Sequence, residues 1–330
     1  VVVTTESDIT IETGLVYDGT DPLELIGTGQ TVSTGADVTL LTASMGADLT
    51  VSGLTFAGPG GFDINNRADM DGSAGKGIFI DVRDDQTGIV SLTLTDVTVR
   101  GVANHGIHVS DCSLADDCGG GGSGEGEGSD ASIVVALHNV TVDDAGNGKF
   151  DADGLRVDER AAGSIHARIV DSTFVGVGAD GVELDEAQDG DVIVTAINTV
   201  WNDNGIYCLP ELLDSFMPEE DEGEFSEGEM AADAIPGPVT GSPDDGCFER
   251  EVDLYDDGTV EAYEFAIDVD DGFDIDESDN GSLRVVMIGG EITGNLDEGG
   301  DFDEAGAGDI DLAILGTIAS RNADDGFKNS

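Results

Sequence analysis

At 330 residues the chain exceeds a usual single domain, and 71 Asp+Glu against 12 Lys+Arg give it a formal charge of −59. Nucleic acid and anionic membrane surfaces are excluded as partners, because both need a basic stripe. Hydrophobic residues make up 39% of the chain, in short β-branched runs separated by many of the 49 glycines, which excludes a disordered acidic tail and points to an all-β fold.

In chain order, Val1-Val-Val-Thr-Thr5 reads as a strand that either caps its own first coil or adds to the sheet of a neighbouring copy. Apolar segments follow at residues 38–41 and 49–56. From Gly77 onward one element recurs: glycine, then apolar-x-apolar, then acidic residues. It reads Gly77-Ile-Phe-Ile-Asp81, Gly106-Ile-His-Val-Ser-Asp111, Gly154-Leu-Arg-Val-Asp-Glu159, Gly181-Val-Glu-Leu-Asp-Glu186 and Gly272-Phe-Asp-Ile-Asp-Glu277. Weaker copies are Gly205-Ile-Tyr-Cys208 and Gly300-Asp-Phe-Asp-Glu304, and Asp325-Gly-Phe327 begins another.

Successive glycines of this element are 29, 48, 27, 24, 67, 28 and 26 residues apart. The interval of 48 contains a Gly-rich insertion at 112–130, and that of 67 contains an acidic, proline-bearing insertion at 208–247. Setting these aside leaves a repeat of 24–29 residues. Within it a second strand follows the first (90–94, 133–137, 165–169, 192–195, 283–287, 310–314). A corner comes next at Asp96, Asn139, Asp171, Asn198, Gly290 or Gly316, then a short third strand such as 97–99, 140–142 or 173–175. Three short strands per turn, each with alternate residues pointing inward, predict a parallel β-helix, a single β-solenoid domain over 1–330.

Four cysteines allow three pairings, of which Cys112–Cys118 and Cys208–Cys247 are the sequence-local ones. No zinc-type Cys/His spacing occurs. Disulfides point to an oxidising compartment, so the chain reads as a mature extracellular or cell-surface protein, or a piece of one. No run of 18 apolar residues predicts a membrane span.

The recurring pattern, together with Ile26-Gly-Thr-Gly-Gln30 and residues 38–41 and 49–56, resembles the pectin-lyase-like superfamily of right-handed parallel β-helices. The resemblance implies the architecture; the superfamily hosts lyases, hydrolases, adhesins and passive scaffolds. Its calcium-dependent lyases hold uronate through acidic calcium ligands and abstract a proton with Arg or Lys, for which Arg156 and Arg160 are the nearest counterparts. Its hydrolases use clustered aspartates, which here recur at 270–272 and 324–326 instead of marking one place.

Stacked coils put equivalent residues about 4.8 Å apart. Asp158/Glu159, Asp185/Glu186, Asp276/Glu277 and Asp303/Glu304 are then expected to form carboxylate ladders, as are Asp153, Asp180, Asp271 and Asp325 beside the repeat glycines. Like charges that close repel by roughly 1 kcal/mol in water and several-fold more near a protein surface. A divalent cation between the rungs relieves this, and dense hard oxygen donors suit calcium. The competing expectation is that the acids merely keep a surface hydrated at high salt. An outward row of Phe79, His108, Arg156, Glu183, Tyr207 and Asp274 is expected to place Arg156 against Glu183 and to offer Phe79, His108 and Tyr207 to sugar rings. His105, His138 and His166 read as surface or corner residues. The function this predicts is a structural or adhesive β-helix held by divalent cations, stacking head-to-tail with copies of itself. The alternative is a β-helix that binds an extracellular polysaccharide, or degrades one with calcium.

Overall fold

The structure, a computed structural model, describes residues 1–64, 74–83, 85–111, 128–149, 151–205, 249–254, 260–266 and 270–330. Cys112, Cys118, Cys208, Cys247 and Tyr207, with the expectations placed on them, lie outside the described residues.

Alternation decides which face of each strand is inside. In Asp130–Ala145, Ile133, Val135 and Leu137 are buried while Val134 and Ala136 are only partly so, the period of two that a half-buried strand demands. Each buried residue then meets its counterpart one coil away. Val90, Ile133, Ile165, Val192, Leu283 and Ile310 form one continuous column. Leu15, Leu41, Ile78, Ile107, Leu155, Val182 and Phe273 form another on the opposite wall.

The two walls are parallel sheets of fourteen and eight strands, and the chain between them is an all-β, right-handed parallel β-helix. A chain of aromatic contacts runs from the third strands, which carry Phe174 and Trp201, to the eight-stranded wall, which carries Phe273 and Phe302. Phe174 to Trp201, Trp201 to Phe273, Phe273 to Phe302 and Phe302 to Phe327 have centroids 6.5, 5.3, 5.7 and 6.3 Å apart.

The corners are where the sequence placed them. Asp96, Asn139, Asp171 and Asn198 all have left-handed backbone, with φ of 54°, 54°, 49° and 52°. Asn and Asp tolerate that region better than other residues with a Cβ. Asn139 Nδ2 donates to Asp96 Oδ1 at 2.6 Å, and Asn198 Nδ2 donates to Asp171 Oδ1 at 3.2 Å, so the corners are laced together along the stack. On the next coil Gly289, one residue before the expected Gly290, follows Asn198; both glycines are left-handed. Thr87–Val102 and Asp130–Ala145 each run as one strand through such a corner, merging the second and third strands expected there.

Two expectations change. Gly205 does not open a rung, because Val182–Glu186 pairs directly with the strand Phe273–Asp279, 91 residues further along the chain. Among the described residues the coil runs to Gly205 and is next seen at Asp270, and the antiparallel pair Glu249–Leu254 with Val260–Ala266, between them in sequence, joins neither wall. Gly299, not Gly300, stacks on Gly272, because Phe273 pairs with Gly300. Finally, Val2–Thr4 pairs in parallel with Glu24–Ile26 of its own chain, the first of the two alternatives for that strand.

Phe174 is fully buried against Trp201, the one tryptophan of the chain, whose fluorescence reports unfolding directly. Phe174→Ala should lower stability by about 3–5 kcal/mol in urea titrations at constant salt. A loss below about 1 kcal/mol would contradict a continuous chain of aromatic contacts.

Candidate functional site

The outer face of the eight-stranded sheet carries the acids. Strand register sets two columns there and a third, buried, at the strand ends. The first runs Phe79, His108, Arg156, Glu183, Asp274, Asp301; the second runs Asp81, Ser110, Asp158, Asp185, Asp276, Asp303; the third runs Glu159, Glu186, Glu277, Glu304. The four expected acid pairs therefore sit rung on rung.

The acids beside the glycines form a fourth column, with one member missed. The Asp180 N–H donates to Asp153 Oδ1 at 3.1 Å, the Asp271 N–H to Asp180 Oδ1, and the Glu298 N–H to Asp271 Oδ1 at 2.7 Å. Asp325 comes only after Glu298, since the Gly299 N–H donates to the Asp325 carbonyl, and its side chain is exposed. Glu298 escaped notice because the double glycine Gly299–Gly300 was read one residue out of phase. The 27-residue step from Gly272 to Gly299, the same as from Gly154 to Gly181, would have found it.

Cations enter this face at one end. Arg156 lies at the centre of five carboxylates: Asp151 at 3.1 Å, Asp153 at 3.5 Å, Asp158 at 2.8 Å, Glu183 at 2.5 Å and Asp185 at 3.5 Å. The expected Arg156–Glu183 pair is one of these. Arg160 pairs with Asp185 and lies 3.6 Å from Asp158. His108 Nε2 is 2.7 Å from Asp158 Oδ2, and its Nδ1 is buried without a hydrogen-bond partner. His105 Nδ1 accepts the Asp153 N–H at 2.9 Å. Lys76 Nζ stands 4.6 Å over the Phe79 ring, and Lys149 is buried nearby.

This row is not the open, sugar-facing surface expected: His108, Arg156 and Glu183 are 1%, 6% and 6% exposed, and Phe79 packs on the His108 ring at 5.3 Å. His105 is buried as well, while His138 and His166 are exposed. Pairing of both histidines with buried acids had no signal in the sequence, since their partners lie some fifty residues away.

Electrostatics differ along the columns. Burial pushes the Asp158 carboxyl up, but Arg156, the His108 hydrogen bond and Arg160 together hold it well below the usual range. Burial, then the charge of Lys76, lowers His108 to about 4, so its ring is neutral at pH 7. The other carboxylates shift the opposite way, and burial outweighs the arginines even at Asp185 and Glu183, which touch them. Burial, then Asp185 and Asp303, raises Asp276 to about 7; burial, then Asp276 and Asp301, raises Asp274 well above its ordinary value. Burial, then the neighbouring Glu298, raises Asp297 to about 9. In the third column burial lifts Glu159, Glu186 and Glu277 to about 8, 9 and 7, with Asp111, Glu159 and Glu304 the respective charged neighbours.

Three acidic groups bring their carboxylate oxygens within 4.8 Å of one another: Asp151, Asp153 and Glu183; Glu183, Asp274 and Asp276; and Asp271, Asp297 and Glu298. These are all-oxygen sets that can hold a hard cation. Arg156 Nη1 already touches all three carboxylates of the first group. Among the described residues no side chain forms an ion pair with Asp274, Asp276, Asp271 or Asp297. Lys328 Nζ reaches only Asp301 and Glu298, at 2.9 and 3.6 Å.

No family model matches the chain, and no curated protein matches it. Among solved structures it is similar to the A-module of mannuronan C-5 epimerase AlgE4 from Azotobacter vinelandii, at 13% identity, over 96% of this chain and 86% of that one, with a TM-score of 0.23. The class rests on the strand register itself: an all-β parallel β-helix carrying acidic groups able to hold ions.

A raised carboxylate value means that the folded state binds protons the unfolded chain releases, so stability falls as pH rises through that value. His105 and His108, whose values are lowered, act in the opposite sense below about 6.5, which confines the clean window to pH 7–9. In chelator, urea midpoints should therefore fall steadily between pH 7 and 9. A flat or rising profile would contradict the buried, raised acids.

Proposed function

We propose that this protein is a secreted or cell-surface structural β-helix whose outer acidic columns hold divalent cations, calcium above others. The observation that carries the reading is the group Glu183, Asp274 and Asp276. Its oxygens converge within 4.8 Å, one rung beyond the place where Arg156 supplies positive charge. Arg156 satisfies Glu183 from one side, and no ion pair among the described residues satisfies Asp274 or Asp276. A charge buried without a partner is strongly destabilising, and an oxygen-ligated metal ion is the partner this donor set accepts.

Hydration at high salt accounts for other acids, such as the exposed Glu6, Asp8, Glu12 and Asp18 of the first coil. It does not account for Asp180 and Asp271, which are buried, or Glu186, which is fully so. Calcium modules outside the cell work with dissociation constants of about 10⁻⁴–10⁻³ M, a range open to partly exposed acids such as these. End-to-end stacking of copies belongs to the same proposal.

Thermal unfolding in millimolar calcium and in chelator, at equal ionic strength, tests it. Calcium at a hundred times its dissociation constant stabilises by about 2.7 kcal/mol per site. The midpoint should rise with calcium, and negative-stain images should show rods longer than one chain. An unchanged midpoint would leave only high-salt acidity.

One observation favours a second reading, a β-helix acting on an acidic polysaccharide. Unlike the repeated acids, the His108–Asp158 pair occurs once, and it gathers Arg156, Arg160, Lys76 and Lys149 in a chain with 12 basic residues. Asp158 holds the Nε2 proton, and Nδ1, which is buried, accepts one from a sugar only when the covered face opens to the polymer, whose carboxylates the cations suit. On this reading, exchange of the proton beside the carboxylate of a uronate polymer into D₂O should occur with the wild type and drop at least a hundredfold in His108→Asn. No exchange by the wild type removes it.

A further inference from the structure

The third acidic column is built differently from the others. Each of its glutamates is followed four residues later by glycine: Glu159 and Gly163, Glu186 and Gly190, Glu277 and Gly281, Glu304 and Gly308. A Cβ on Gly190 would lie 1.8 Å from the Gly163 carbonyl oxygen and 2.6 Å from Glu186 Oε1. One on Gly281 would lie 1.5 Å from the Gly190 oxygen and 2.1 Å from Glu277 Oε1. Successive turns here pack backbone on backbone, and each carboxyl is folded beneath its own turn. The glycines are required by that close approach.

Sealing the turns leaves the acids with unmet bonding capacity. Glu159 Oε1 accepts the Gly163 N–H at 2.9 Å, but Glu159 Oε2 and both oxygens of Glu186 and Glu277 are buried without a well-formed hydrogen bond. The Gln188 N–H lies near enough to favour the charged form of Glu186 slightly. Glu159, Glu186 and Glu277 are 0%, 0% and 1% exposed, and no ion pair to Glu186, Glu277 or Glu304 forms among the described residues. Asp111, which precedes Glu159 in the column, needs nothing further: it accepts the Ser129 and Arg160 N–H groups at 2.8 and 2.9 Å. Unmet capacity therefore starts at Glu159, where the carboxyl faces Glu186, and recurs where Glu277 faces Glu304.

We propose that this column is a file of buried cation sites distinct from the outer aspartate columns, in which one divalent cation bridges Glu159 and Glu186 and a second bridges Glu277 and Glu304. The proposal rests on the cation-holding reading above and adds the place and the number. Two stacked carboxylates offer four of the roughly six to eight oxygens that calcium takes, and retained water completes the shell.

Equilibrium dialysis of the full chain against calcium alone, at fixed ionic strength, tests it. The double variant Glu186→Gln/Glu277→Gln should bind two fewer ions per chain than the wild type. Asp274→Asn/Asp276→Asn, altered only in the outer columns, should retain those two. Should the double variant fail to fold, Glu304→Gln, which is half-buried at the end of the file, should lose one ion while circular dichroism stays that of a β-helix. Equal binding by the wild type and the folded glutamine variants would overturn the file and leave protons shared between these carboxyls. Absence of calcium binding by the wild type would instead overturn the broader reading on which it stands.

Discussion

In-register stacking governs everything in this molecule. Each coil lies one strand spacing, about 4.8 Å, from the next, so every side chain faces its own counterpart above and below. Where the counterparts are apolar this yields columns such as Ile133, Ile165, Val192 and Leu283, and the stacked rings of Phe174 and Trp201. Where they are Asn and Asp, it yields laced left-handed corners. Where they are carboxylates, the same geometry that gains packing elsewhere sets like charge on like charge.

The fold meets that cost in more than one way. At the Asp158 rung it spends scarce cations: Arg156 alone bridges carboxylates of two successive coils, and Arg160 joins Asp158 to Asp185. Beside the repeat glycines, Asp153, Asp180 and Asp271 each accept a backbone N–H from the next coil, which offsets part of the burial that still holds all three above the ordinary carboxylate value. Asp274 and Asp276 have neither device, and burial and their acidic neighbours push them upward as well. A cation from solution is the remaining means of keeping these groups ionised, which ties the integrity of this half of the face to the medium.

Much of this was legible in the residues. The spacing of glycines and the alternation of apolar positions placed both walls, and the pairs from Asp158/Glu159 to Asp303/Glu304 stack in the register that their spacing predicted. Corners were legible because Asn, Asp and Gly are the residues that accept left-handed backbone. Gly205 misled because a glycine before an apolar residue is a weak signal next to an insertion. Glu298 was hidden by two adjacent glycines that allow either phase. Burial of His105, His108 and Arg156 was not legible at all: alternation says which side of a strand faces out, not whether the outside is covered.

Metal content of the purified chain, after exhaustive dialysis into metal-free buffer containing molar sodium chloride, tests the dependence on bound cations most directly. If the acidic columns hold divalent ions specifically, elemental analysis should find calcium in whole-number ratio to protein despite the competing sodium. If the folded protein carries no divalent metal above the buffer blank, screening by salt suffices and the columns are not binding sites.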